Sequence, residues 1–468
     1  MRFRLFPTIL CALILSLGLA LVAFTSLRVS PVYGITSPAR SLALVAGRTM
    51  ELRQACRRIP AWERQFYQIY DSTVGSNQEI SDLLAWHREL APLTLDPIVA
   101  AHLGILEGET AQFDPLREQT HLWTAQAGEP LRSLASLIQN AYLDVPLKNH
   151  PEEVLDFVEE TLPPGWFRNR LEERLARKIR DLPKISAIQY SEVDRFRRLL
   201  WRYRWMTGLD MAILLAFAWA LLPFLRHPAS FWRFGTASLP PRWRGAVGVT
   251  VLIRGFALGI LLSFVPGLVV RGSDAAVNLT AYLLWSLPIL FLAKRHLCNP
   301  DRLRLRDELG IIVAPTVWKK LALIVLVGLG IDSLGSWFLG RAGVLFRLPN
   351  HWAESFEPDL VWGSPWTAGV SLLGMILLGP WIEELVFRGL IFGTLRRRYR
   401  WVPSALLSAG LFAFVHGYGL LGFVSVLWSG VVYAWIYEKS GSLVPGFVVH
   451  ALGNLLFCLN LIVMYRLP

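Results

Sequence analysis

Cysteine is scarce in this chain. Its 468 residues include only Cys11, Cys56, Cys298 and Cys458, with no C-x-x-C spacing, so neither a disulfide framework nor a thiolate zinc site is supported. Any metal would have to use His, carboxylate or amide ligands. Charge is scarce too: Asp, Glu, Lys and Arg make up 18% of the residues against 53% hydrophobic, too little polar surface for a soluble globule. The chain reads as a membrane protein. A Gly-rich phosphate loop is missing, and so is any interleaving of basic with aromatic residues, which removes nucleic acid as the partner of the formal +12 charge. H-E-x-x-H is also absent, so ordinary zincin logic does not apply.

What the chain does have is long apolar runs. Crossing a ~30 Å hydrocarbon core takes about 20 residues. The first run, Leu5 to Phe24, follows Arg2 and Arg4; it is long for a signal-peptide core and no small-x-small site follows it. Residues 1–29 are therefore expected to be an uncleaved anchor rather than a signal peptide. Residues 30–205 are charged and contain no spanning run. Helical periodicity in Leu131–Tyr142 and Trp166–Asp181, punctuated by Pro-Pro-Gly at 163–165, predicts a soluble α-helical domain there. Eight more runs follow at about 207–225, 246–270, 275–293, 319–339, 367–393, 403–417, 420–437 and 443–465. The expected fold is all-α and polytopic: an anchor helix, a soluble helical domain, and an eight-helix membrane domain over 206–468.

Basic residues orient it. With the N-terminus cytoplasmic, the inner segments hold 18 Lys and Arg against 4 in the short outer loops, which predicts residues 30–205 on the exoplasmic side of a plasma membrane, the inner one in a bacterium. Arg195, Arg197, Arg198, Arg202 and Arg204 dissent. They belong to a long translocated domain, where the rule is weak.

Ionisable groups inside spans are costly and need a reason. Here they gather towards the C-terminus: Glu383, Glu384 and Arg388 on one helix, Phe412 and His416 on the next, His450 and Asn454 on the last. Residues at i and i+4 share a helix face, so Glu384 and Arg388 are placed to pair, while Glu383 points elsewhere. At ~1.5 Å per residue, Glu384, His416 and Asn454 each lie about 18 Å in from the cytoplasmic ends of their helices, and His450 about 12 Å. Three helices could thus bring Glu383, His416, His450 and Asn454 to one buried point. Two arrangements stay open. A divalent metal such as zinc could be held by His416 and His450, or the side chains could position a water directly, with Glu383 taking its proton and the histidines or Asn454 stabilising the oxyanion. Arg254 and Asp332, the other charges inside spans, are expected to pair with each other.

Glu383-Glu384-x-x-x-Arg388, Phe412-x-x-x-His416 and His450-x-x-x-Asn454, in that order on successive helices, resemble the type II CAAX prenyl endopeptidase and bacteriocin-processing family of intramembrane metalloproteases, also called CPBP or Abi. The segment Tyr437-Glu-Lys-Ser-Gly-Ser-Leu is similar as well. The resemblance covers about 365–465. It implies an eight-helix intramembrane protease core in which Glu383 activates water, His416, His450 and Asn454 complete the site, and Glu384, Arg388 and Phe412 support it. The implied partners are the lipid bilayer and a peptide or protein substrate of CAAX-like or leader-peptide type. Two other readings compete: a non-proteolytic membrane scaffold or bacteriocin-immunity protein that retains the fold, and a proton-coupled transporter. The transporter predicts inverted repeats, and the acidic motif has no second copy in the other half of the membrane domain.

Overall fold

The computed structural model describes residues 4–71, 76–147, 151–266 and 275–467, and among these every regular element is helical. The end of the 246–270 run lies outside the described residues. The chain divides into two compact units, one of residues 1–30, 208–343 and 359–462, the other of 31–207, 344–358 and 463–468.

The first unit contains the apolar helices α1 (Leu5–Arg28), the C-terminal part of α10 (Leu182–Arg226), α11 (Gly245–Ser263), α12 (Ala275–Ala293), α13 (Trp318–Leu345), α14 (Pro365–Arg396), α15 (Trp401–His416), α16 (Leu420–Ser440) and α17 (Leu443–Leu461). Eight of these are long and apolar enough to cross a membrane; α15 is shorter. Its 16 residues reach about 24 Å, short of a ~30 Å core, and they nearly match the length of the expected run 403–417. The helix ends where that run ends: Gly417 takes φ +69°, a left-handed conformation open to glycine, directly after His416.

Helix α14 is not a plain α-helix, which the sequence did not signal. It is π-helical over Gly374–Leu378 and again over Glu384–Phe392. The first widening has a chemical partner. The Gly379 N–H bonds the Gly374 carbonyl five residues back, so the next donor in that pattern to the Met375 carbonyl would be residue 380. That residue is Pro380, which has no N–H. The vacancy is filled from α17, where Asn454 Nδ2 donates to the Met375 carbonyl at 2.7 Å.

At one end of this unit the connecting segments knit together. The N–H groups of Phe234 and Gly235 both bond the Ser440 carbonyl, and Ala237 N–H bonds Gly441. Gly310, at φ +62°, packs so closely that a Cβ would lie 2.2 Å from the Gly441 oxygen, so only glycine fits. The expected Arg254–Asp332 pair does not form. Arg254 turns instead towards α1, donating to the Thr8 hydroxyl and the Arg4 carbonyl, each at 2.7 Å. Asp332 accepts from Ser429 of α16, for a hydroxyl within reach on the neighbouring helix satisfies a buried carboxylate without a second buried charge.

The second unit packs α2 (Pro38–Arg57), α3 (Ala61–Tyr70), α4 (Asn77–Thr94), α5 (Pro97–Glu109), α6 (Phe113–Gln126), α7 (Leu131–Tyr142), α8 (Pro151–Thr161), α9 (Trp166–Ile179) and the N-terminal part of α10. Its core joins leucines of α4, α5, α7 and α9 around Trp166 and Phe167. Phe167 lies between two buried histidines, stacked on His102 at 4.1 Å and edge-on to His87 at 5.6 Å. Burial pushes the His87 imidazole down to about 4 and that of His102 down to about 3. The arginines that dissented from the charge rule are tied down within this unit: Arg195 to Glu51, Arg197 and Arg198 to Asp194, Arg204 to Glu63, and Arg202 to the Leu467 carbonyl.

Candidate active site

Helix α14 carries Glu384 and Arg388 into the interior, where both are essentially without solvent exposure. Arg388 Nη1 lies 2.9 Å from Glu384 Oε1, and its guanidinium sits over the rings of Phe412 at 4.3 Å and Tyr433 at 5.0 Å. One carboxylate and two ring faces thus surround the cation. Taking two such ions out of water costs several kcal/mol each, which Coulomb attraction offsets only with good geometry, so stability alone is a weak reason to keep the pair. Its geometry shows another use. Glu384 Oε1 also lies 3.1 Å from His450 Nδ1. A carboxylate oxygen paired with Arg388 accepts, so His450 Nδ1–H is the donor in this contact and Nε2 is the nitrogen turned outward.

That outward nitrogen faces Glu383. Nε2 of His450 is 3.5 Å from Glu383 Oε2, and Glu383 Oε1 accepts from the Tyr282 hydroxyl of α12 at 3.0 Å. Glu383 is also the more accessible carboxylate, its side chain 19% exposed against 1% for Glu384. Two adjacent glutamates of one helix therefore hold different posts: Glu384 is sealed against Arg388 and His450, and the partly exposed Glu383 lies between a tyrosine and a histidine.

His416 ends α15. Its Nδ1 donates to the Phe412 carbonyl at 2.7 Å, which leaves Nε2 as the free lone pair here too. Phe412 contacts both histidines, edge-on to His416 at 4.7 Å and to His450 at 5.8 Å. Neither His416 nor Asn454 makes a hydrogen bond or ion pair with Glu383 or His450 among the described residues. His416 joins the cluster through the ring of Phe412, and Asn454 through the backbone of α14 two turns ahead of Glu383.

Sequence reasoning missed two tyrosines and misassigned an aspartate. Tyr282 holds Glu383, and Tyr433 stacks on His450 with ring centres 4.8 Å apart. The Tyr433 hydroxyl lies 3.4 Å from Asp332 Oδ2, and Ser429 donates to Oδ1 at 2.7 Å. Asp332 announced itself as a charge inside a span, but the tyrosines carried no signal, for tyrosine in apolar helices is common near interfaces.

A metal fits this donor set poorly. His416 and His450 each meet the ring of Phe412 edge-on, and among the described residues no three His, Cys, Asp or Glu side chains are grouped to hold a cation. Three or more protein ligands are the rule in a catalytic zinc site.

Residues 365–456 match the family model described as Type II CAAX prenyl endopeptidase, Rce1-like. The matched segment is about a fifth of the chain and contains Glu383, Glu384, Arg388, Phe412, His416, His450 and Asn454. No curated protein and no solved structure matches the chain.

Proposed function

We propose that this protein is a multi-pass intramembrane endopeptidase that hydrolyses a peptide bond of a membrane-associated, CAAX-like or leader-peptide substrate with water activated by Glu383. The observation that carries the reading is the pair of acceptors 3.5 Å apart, Glu383 Oε2 and His450 Nε2, each held from behind, Glu383 by the Tyr282 hydroxyl that donates to it and His450 by Glu384, which accepts from its Nδ1–H. A water at the apex of that notch would give one hydrogen to each acceptor and keep its lone pairs for a substrate carbonyl.

The step then runs without external reagents. The water oxygen adds to the carbonyl carbon as one of its protons passes to Glu383, and the carbonyl electrons move onto oxygen. When the tetrahedral intermediate collapses, the C–N bond breaks and Glu383 returns the proton to the leaving amine. Glu384 and Arg388 hold His450 in its Nδ1–H tautomer throughout, in the way a buried carboxylate orients a catalytic imidazole. Asn454 has a second amide N–H beyond the one spent on Met375, and that donor is assigned to the oxyanion. With its Nδ1–H bonded to a carbonyl, His416 offers Nε2 as an acceptor, so it is assigned to substrate N–H or water rather than to the oxyanion. No step is routed through a metal. The membrane setting is proposed as the charge count suggests, with residues 30–205 on the exoplasmic side of the plasma membrane.

The test is purified protein in phospholipid vesicles given isoprenylated CAAX peptides, with products identified by mass spectrometry. Cleavage that Glu383→Gln abolishes at unchanged expression and folding supports the proposal. Cleavage unaffected by that substitution overturns the assignment of Glu383.

A further inference from the structure

Helix α3 presents three separate faces. At 100° per residue, Trp62, Phe66 and Ile69 fall within an arc of about 60°, Glu63, Tyr67 and Tyr70 on a second, and Arg64, Gln65 and Gln68 on a third. The second face is the one that packs. Arg204 of α10 grips both oxygens of Glu63, at 2.7 and 3.0 Å, and Tyr67 meets the Tyr203 ring edge-on at 4.8 Å. A bidentate pair with a ring contact beside it fixes the rotation of α3. The apolar face is thereby turned outward, with Trp62 70% and Ile69 62% exposed.

The level at which this happens singles out the occupant. Tyr203 and Arg204 lie one turn before residue 207, where the apolar run of α10 begins. At the same level Trp201 and Trp205 are exposed and pack edge to face at 5.7 Å. By helix geometry they project from the side of α10 roughly opposite Tyr203, about 160° and 200° around the axis. Aromatic groups thus stand out on both sides of one helix at one height, just where it becomes apolar. A protein partner would cover one side; a bilayer boundary surrounds the helix at a single depth and favours Trp. We infer that α3 is an interfacial helix, lying in the headgroup boundary with Trp62, Phe66 and Ile69 in the acyl region, and that with Trp201 and Trp205 it forms an aromatic collar where α10 meets the membrane. The inference is independent of the chemistry assigned to Glu383.

The test uses the full chain in vesicles of phosphatidylcholine and phosphatidylglycerol at three to one, with p-benzoylphenylalanine replacing Trp62, Phe66 or Gln68 in turn, and Leu215, exposed within the apolar run, as positive control. After irradiation, phospholipid adducts are read by mass spectrometry. Adducts at 62, 66 and 215, several-fold above those at 68, are the expected result. Adducts at 215 but none at 62 and 66, equal adducts at 66 and 68, or a cross-link from 66 to a second copy of the chain would each overturn it.

Discussion

Glu383 and Glu384 are neighbours in sequence with opposite surroundings, and the difference sets what each substitution should do. Glu383→Gln keeps the shape and the Tyr282 contact but removes the base, and kcat should fall by roughly 10²–10⁴ at little cost in stability. Tyr282→Phe removes one hydrogen bond to a charged group, worth about 1.5–3 kcal/mol, so about 10- to 100-fold in rate is expected with unchanged expression. Arg388→Ala is different in kind. It leaves Glu384 buried without its counter-ion, a loss of about 3–5 kcal/mol, and should appear in thermal unfolding before any rate is measured. At this scale the sequence was informative wherever the residue was costly. A carboxylate or histidine within a span stands out by its price in lipid, and i, i+4 spacing suffices to pair Glu384 with Arg388. Tyr282 and Tyr433 are cheap there, and nothing in the sequence distinguishes a tyrosine that holds a carboxylate from one that only packs.

Helix α14 places its residues through a defect. Pro380 withholds one N–H, the helix widens, and Asn454 supplies the missing donor to Met375. A double-mutant cycle tests this directly. Asn454→Ala alone should destabilise by about 1 kcal/mol through an unsatisfied, half-buried carbonyl. In a Pro380→Ala background the backbone gains its own donor, and the same change should cost less. Additive losses would contradict the pairing. Periodicity located α14 but not its π-helical stretches, because hydropathy reports which residues are apolar and not which carbonyl lost its donor. The end of α15 was legible by contrast: the expected run stops at 417, and the backbone turns at Gly417.

Across the whole molecule, charge is handled differently in the two units. The membrane unit hides a few ions at one place, while the second unit couples its arginines and glutamates in many pairs and buries two neutral histidines. Those histidines give it a pH dependence with a definite sign. His87 and His102 are held below the ordinary value of about 6.5, so between about 4 and 6.5 the unfolded chain binds more protons than the folded one. Stability is therefore present above pH 6.5 and is lost as pH falls through that window. Hydrogen exchange on the full chain should show α4 and α5 losing protection between pH 6.5 and 4, less so in His102→Phe; a flat profile would contradict it. The all-helical, multi-pass character was legible in composition and run length alone. The two units were less so, for residues 344–358 and 463–468 join the second from far along the chain, through contacts such as His351 with Glu89 at 3.0 Å that no local pattern encodes.

The central claim is that the buried polar cluster cleaves peptide bonds through Glu383. It is tested most directly by quantitative terminal proteomics of the membrane fraction from cells that produce either the intact protein or Glu383→Gln at equal abundance. The account predicts new peptide termini in membrane-associated proteins that appear with the intact protein and vanish with the variant. Identical termini in both would contradict it.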